Sequence, residues 1–457
     1  MRLVSVGSKR FLTNKVDRSV TGLIARQQCA GPLHLTVSDV AVIAQSHFGL
    51  TGAAISIGEQ PIKTLINPSA MARLSVGEAL TNIVWAKISK PEDIKCSGNW
   101  MWAAKLPGEG ARLYDAAVAV QDIMLELGIA IDGGKDSLSM AARVVSSAHG
   151  RIRRGEKDKM ETVKSPGTLV ISAYATCPDI TKVITPDIKQ PGKSKLLFID
   201  IGNNRNRLGG TSLAQVYNQI GNESPDVDDP KLLKKAFNAV QKLISDNLIS
   251  AGHDRSDGGL ITTLLEMAFS GNCGIEVEMQ DAGCRMQDEI LALLFSEELG
   301  LVIEYLPKNE KKILAELTKQ KVPCHVVGRT TVNKKIKIKS NGKLILNEDM
   351  RVLRGIWEET SYQLERLQMN SDCADEEKKN IYDRRGPQFK ITFKPDITPS
   401  AIIKRRNKPA VAIVREEGSN SDREMTSAFY QAGFDVWDTT MTDFLEGKVN
   451  LDKFRGI

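Results

Sequence analysis

The chain has 457 residues, enough for two to four domains that each bury a core of their own. Its 41% hydrophobic and 26% charged residues are ordinary for a soluble globular protein, and a net charge of +6 is too small over this length for a general polyanion-binding role. An aromatic content of 5% offers no stacking platform for nucleic acid, and seven scattered cysteines without a Cys-x-x-Cys pair suggest neither a zinc site nor a disulfide framework, leaving reduced, buried thiols as the expectation.

Met1–Phe11 lacks the apolar core and small-residue cleavage pattern of a secretory signal. No run approaches the roughly 18 apolar residues that a membrane span needs, so the cytoplasm is the expected compartment. Asp39 stands as a lone carboxylate in the strand-like Leu35–Val42. Removing it from water costs several kcal/mol unless a partner neutralises it, and the sequence leaves a solvated turn and a ligand equally open. Ser75-Val76-Gly77-Glu78 has the form of a capping box, which would start a helix there and make Glu78 its N3 residue. Asn82 follows four residues later on the same face, so Glu78 and Asn82 could also reach one hard cation.

Leu113, Ala117, Val120, Met124 and Leu127 repeat at helical spacing and stop at Gly128. Ile131–Ser137 is glycine-rich around Lys135; the spacing excludes a Walker loop, so it reads as a tight turn or a lysine placed for a phosphate. Basic residues gather in Arg151–Lys164 and again in Lys404–Lys408, both read as solvated loop. Thr168–Cys177 alternates as a strand does, and Leu196–Ile201 is a continuous apolar run, as a buried strand is. Lys231–Leu248 and Gly259–Phe269 read as helices, and Leu301–Tyr305 and Ile336–Ile338 as strands. Asn370–Lys408 is polar and reads as linker. Val411–Arg415, Ser421–Gly433 and Phe434–Trp437 then make the β-α-β opening of a parallel α/β domain.

The densest polar cluster is His253-Asp254-Arg255-Ser256-Asp257-Gly258-Gly259-Leu260, directly before a hydrophobic helix. An N-cap at Ser256 or Asp257 accounts for one of these residues but not for Asp254. Asp254 is therefore expected as a magnesium ligand, with glycines that let backbone approach a phosphate. Asp39, Glu78, Asn82 and Asp254 together supply an all-oxygen donor set.

HDRSDGGL resembles the signature of the superfamily of aminoimidazole ribonucleotide synthetase and the formylglycinamidine ribonucleotide synthetases. Val6–Leu23, SVGEALTN at Ser75–Asn82, Ser97–Ala116, GGKDSLSM at Gly133–Met140 and Gly209–Gly221 are similar to the large, single-chain phosphoribosylformylglycinamidine synthase family. Ala410–Met425 and Ala432–Asp443 resemble the start of that family's glutaminase domain.

The resemblance implies an α/β (α+β) fold: a synthetase N-domain over 1–180 and a C-domain over 190–347. A linker over 348–407 and the opening of a flavodoxin-like class I glutaminase over 408–457 would follow. It implies ATP and Mg2+ as cofactors, with Asp39, Glu78, Asn82 and Asp254 as metal ligands and Ser38 and Ser256 at the nucleotide. Lys135, from its own glycine-rich setting rather than from the resemblance, is expected at the substrate phosphate. The implied activity is glutamine- and ATP-dependent amidination of formylglycinamide ribonucleotide, step four of purine synthesis. The matched stretch stops before the glutaminase Cys, His and Glu, so no residue here is expected to hydrolyse glutamine. The other reading is a Mg-nucleotide-binding module that completes a site with a partner chain or by self-association.

Overall fold

The computed structural model describes residues 1–13, 22–145, 160–279, 287–388, 390–394 and 396–457. The basic cluster Arg151–Lys164 lies outside them as far as residue 159, as does Cys284. Among the described residues no helix is long and apolar enough to cross a membrane.

The first layer is a five-stranded sheet built from β1 (Ala41–Ala44), β2 (Gly52–Glu59), β3 (Lys95–Met101), β4 (Ala130–Ser137) and β5 (Thr168–Cys177). Its order is β1-β2-β5-β3-β4, antiparallel except for the parallel β3–β4 pair. β5 covers the strand read from the sequence, and every second residue from Leu169 to Cys177 is buried. Helices α1 (Pro68–Ile83) and α2 (Glu109–Leu127) pack beside it. Gly128 ends α2 at φ 76°, the left-handed conformation that glycine adopts without a Cβ penalty.

α1 departs from the capping-box expectation. Its N-cap is Asn67, whose side chain accepts from the Ser69 and Ala70 amides, and Pro68 follows at the first helical position. Ser75 is buried in mid-helix, donating to the Met71 carbonyl at 3.0 Å. Glu78 is therefore no capping residue.

The second layer is a seven-stranded sheet of β6 (Lys195–Asp200), β7 (Ala251–Asp254), β8 (Gly274–Met279), β9 (Gly300–Tyr305), β10 (Cys324–Thr331), β11 (Lys335–Ser340) and β12 (Lys343–Asp349). The order is β7-β9-β6-β10-β8-β11-β12. The unbroken apolar run in β6 is explained by two cores. Leu197 and Ile199 face one shared with α1, α2 and α3 (Pro230–Ser245), while Leu196 and Phe198 face another with α4 (Gly259–Gly271).

Residues 348–407, expected as linker, are in part packed structure. Helix α5 (Met350–Gln368) places Met350, Leu353 and Trp357 in the second core. Ser371–Lys379 forms a further helix, and the Ile381 carbonyl accepts from buried Arg354 at 2.7 Å. Among the described residues neither core extends beyond Trp357. From Ala410 to Thr440 a parallel pair, Ala410–Arg415 with Asp435–Thr440, encloses the helix Asp422–Gln431 as expected.

The free cysteines at 29, 96, 177 and 273 are buried, and Cys373 is exposed. Burial pushes the Cys96 and Cys273 thiols up to about 12, so neither is a thiolate at neutral pH.

Candidate functional site

β7 carries His253 and Asp254 on an outer strand that is nevertheless buried at all four positions. α1 and α4 pack against it, and the Gly252 amide donates to the Thr185 carbonyl at 3.2 Å. The turn before β1 delivers Asp39 from the first layer. Its Oδ1 lies 2.8 Å from His253 Nδ1, and its Oδ2 accepts from the Asp254 amide at 3.1 Å. His253 Nε2 is 2.8 Å from Glu266 Oε2, and the other oxygen of Glu266 accepts from Trp357 Nε1 at 3.0 Å. Donor atoms of Asp39, His253 and Asp254 fall within 4.8 Å of one another.

Burial pushes the Asp254 carboxyl up to about 8, with the neighbouring Asp39 adding to it. Burial likewise holds Glu78 well above the carboxylate range, with Asp254 and Asp257 as the next contributors. Burial would lower the His253 imidazolium, but Asp39 and Glu266 outweigh it and keep it protonated well above 6.5. Asp254 Oδ2 is buried without a hydrogen-bond partner. A crowded set of oxygen donors, with one carboxylate oxygen left over, is what a hard divalent cation would neutralise.

Of the residues expected as ligands, Asp39 and Asp254 meet directly, and Glu78 joins them electrostatically while accepting from the Glu59 amide at 2.7 Å. Asn82 sits one turn further along α1, its amide donating to the Ile57 carbonyl at 2.9 Å. Ser256 stands two residues beyond Asp254, and its side chain partly offsets the upward push on that carboxyl. It opens on a cavity of about 140 Å3 that is also lined by Lys9, Thr36, Asp257 and Trp357. Ser38 reaches the Gln28 carbonyl through its amide at 2.7 Å, and its hydroxyl is buried without a partner. Neither Ser256 nor Asp257 caps α4: the N-cap is Gly258 at φ 87°, with no side-chain cap.

Lys135 is not part of this cluster. Gly133-Gly134-Lys135 is strand β4 rather than a turn, and the Lys135 ammonium donates to Ser137 Oγ at 2.8 Å on an exposed edge. Gly134 is explained by packing, since a Cβ there would stand 2.0 Å from the Gly98 carbonyl oxygen.

Several members of the site were missed from the sequence. His253 lay inside the motif but was passed over in favour of oxygen donors. Glu266 is thirteen residues from its partner, with nothing local to mark it. Lys63 and Glu297, 234 residues apart, form a buried ion pair beside Asp257.

The FGAR-AT PurM_N-like domain model matches residues 8–176, and the model of the C-terminal domain of AIR synthase related proteins matches 196–341. The CobB/CobQ-like glutamine amidotransferase domain model matches 408–457. Over its whole length the chain is 53% identical to a probable chloroplastic/mitochondrial phosphoribosylformylglycinamidine synthase of Arabidopsis thaliana, of which it covers 31%. It is 52% identical to the Dictyostelium discoideum synthase and 49% to that of Homo sapiens, again over the whole chain, covering 35% and 33% of them. The chain thus spans about a third of the length of the curated relatives it matches.

Among solved structures, Thermotoga maritima PurL complexed with FGAR superposes with a TM-score of 0.54 at 14% identity, over 76% of this chain and 50% of that one. Phosphoribosylformylglycinamidine synthase II of the same organism gives 0.53 at 14%, over 76% and 48%. The expected fold is borne out: synthetase-type N- and C-domains, then the opening of a glutamine amidotransferase domain.

Proposed function

We propose that this chain, which spans about a third of the length of the phosphoribosylformylglycinamidine synthases it matches, is part of such an ATP-dependent C–N ligase. The reaction converts formylglycinamide ribonucleotide, ATP and glutamine to the amidine, with ADP, phosphate and glutamate released. ATP activates the amide oxygen by phosphorylation, and ammonia from glutamine then displaces phosphate. The reading keeps the domain division and the cytoplasmic placement expected from the sequence, with 350–384 transferred from the linker to the second layer.

In this reading Asp39, Glu78, Asn82 and Asp254 hold Mg2+, and Ser38 and Ser256 contact the nucleotide. Bound there, the cation neutralises phosphate charge and fixes the nucleotide's orientation. Two ligands come from α1, one from the turn before β1 and one from β7, so the site forms only when both layers are in register. His253 aligns Asp39 from behind, and Glu266 fixes the imidazole. Lys135 stands on a separate edge, where it is assigned to the substrate phosphate. The observation that carries the reading is the unpartnered, buried Asp254 Oδ2 among like-charged neighbours.

Calorimetry of MgATP with the wild-type chain and with Asp254→Asn tests it. Binding to the wild type, weakened about tenfold or more in the variant, is expected for the loss of one buried charged ligand. Equal affinity in both would remove Asp254 from the site.

A further inference from the structure

Lys63 and Glu297 are each only 2% exposed, and the structure gives this pair more to do than fill space. Lys63 belongs to the 3-10 turn Pro61–Leu65 that follows β2 in the first layer. Glu297 belongs to the second layer and uses both carboxylate oxygens. One accepts from the Lys63 ammonium; the other accepts from the Gly258 amide at 2.7 Å and the Ser212 amide at 2.8 Å. Asp257 Oδ1 stands 3.6 Å from the same ammonium.

Three separate segments therefore converge on one carboxylate. Two of them are glycine-containing loops: Gly209 and Gly210 donate to the Glu223 and Ile220 carbonyls, and the Ser212 and Gly258 amides are left for Glu297. Gly258 and Gly259 sit at φ 87° and 73°, and α4 has no side-chain cap. Gly210, at φ 69°, lies so close that a Cβ would be 3.3 Å from Lys63 Cα. Apolar residues of similar volume would hold two layers together at least as well as a buried ion pair. What they could not do is accept hydrogen bonds from two loop amides.

We propose that Lys63 is a positioning residue: through Glu297 it holds the Gly209–Ser212 and Ser256–Gly259 loops against the first layer, setting the register of the nucleotide and cation ligands supplied by the two layers. The proposal rests on the functional reading above for what the loops bind, and on geometry alone for what holds them.

Two double variants of the full chain separate positioning from packing. Lys63→Met/Glu297→Leu removes both charges and the acceptor. Lys63→Met/Glu297→Gln has nearly the same volume but returns a carbonyl oxygen to the two amides. Peptide-level hydrogen exchange over 209–212 and 256–259, with 195–200 as reference, reads the loops, and calorimetry with MgATP reads the site. The Leu variant is expected to remain folded, with 195–200 protected as in the wild type, while both loops exchange about tenfold faster and MgATP binds about tenfold more weakly. The Gln variant is expected to recover much of both. Equal exchange in the two variants overturns the proposal, as does wild-type MgATP affinity in the Leu variant or loss of protection in 195–200 together with the loops. Should the wild-type chain bind no MgATP, the functional reading fails and the exchange comparison alone decides on the clamp.

Discussion

Asp254 closes β7 and Asp349 closes β12, the two outer strands of one seven-stranded sheet, and they titrate in opposite directions. Burial and Asp39 push Asp254 up to about 8, whereas hydrogen bonds from Arg351 hold Asp349 down at about 2. A third outer strand, β4 in the other sheet, carries Lys135 at an exposed position. Sheet position does not distinguish the three. What covers the strand does: β7 lies under α1, α4 and the Thr185 segment, so its polar groups must find partners inside the protein. A glycine-rich, charged sequence can therefore become a site or a plain edge, and the covering element decides which.

The hardest blow to that contrast falls on the seam beneath β7. Glu297→Leu alone leaves the Lys63 ammonium buried beside Asp257 and strands the Ser212 and Gly258 amides, which should cost about 3–5 kcal/mol. Lys135→Met on the open edge should stay within about 0.5 kcal/mol. Urea unfolding midpoints compare them, and a Glu297→Leu effect no larger than that of Lys135→Met would show that burial at the seam carries no energetic weight.

One substitution made on both strands sharpens the contrast further. A Cβ at Gly252 would stand 2.0 Å from the Trp85 ring, while a Cβ at Gly133 meets nothing within 4 Å. Gly252→Ala should cost about 1–3 kcal/mol through overpacking. Gly133→Ala should be neutral to within about 0.5 kcal/mol. Equal melting shifts in the two variants would mean that β7 has room to move away from Trp85.

The same distinction explains what could be read from the sequence. Thr168–Cys177 and Leu113–Gly128 were legible because their periodicity and stop signal are local. The motif around Asp254 was legible because so many polar residues cannot all be caps. The capping box failed because Ser75-x-x-Glu78 satisfies the pattern in mid-helix, while Asn67-Pro68, eight residues earlier, carried the true start. The turn reading of Gly133-Gly134-Lys135 failed because two glycines signal flexibility, whereas here Gly134 lets β3 and β4 approach closely. The partners of the site, His253 with Glu266 and Lys63 with Glu297, are set by tertiary contacts that no local spacing encodes.

The smallest expected effect belongs to the half-buried Asp349. Asp349 caps α5, accepting from the Arg351 amide at 2.8 Å and from the Arg351 guanidinium at 2.8 and 3.0 Å. Asp349→Ala should cost about 1 kcal/mol at neutral pH, the usual value of such a cap. The sign with pH follows from the depressed carboxyl. Its contribution is complete above the ordinary value of 3.8, fades as the pH falls below it, and is gone once the pH passes about 2. Protection factors over Met350–Gln368 should therefore differ between wild type and variant by about fivefold near pH 7 and converge as the pH drops below about 4. A difference that persisted unchanged into acid would show that α5 is held by its apolar face and that the carboxylate is incidental. The two outer aspartates would then differ in burial alone, without the opposite dependence on charge that their surroundings impose.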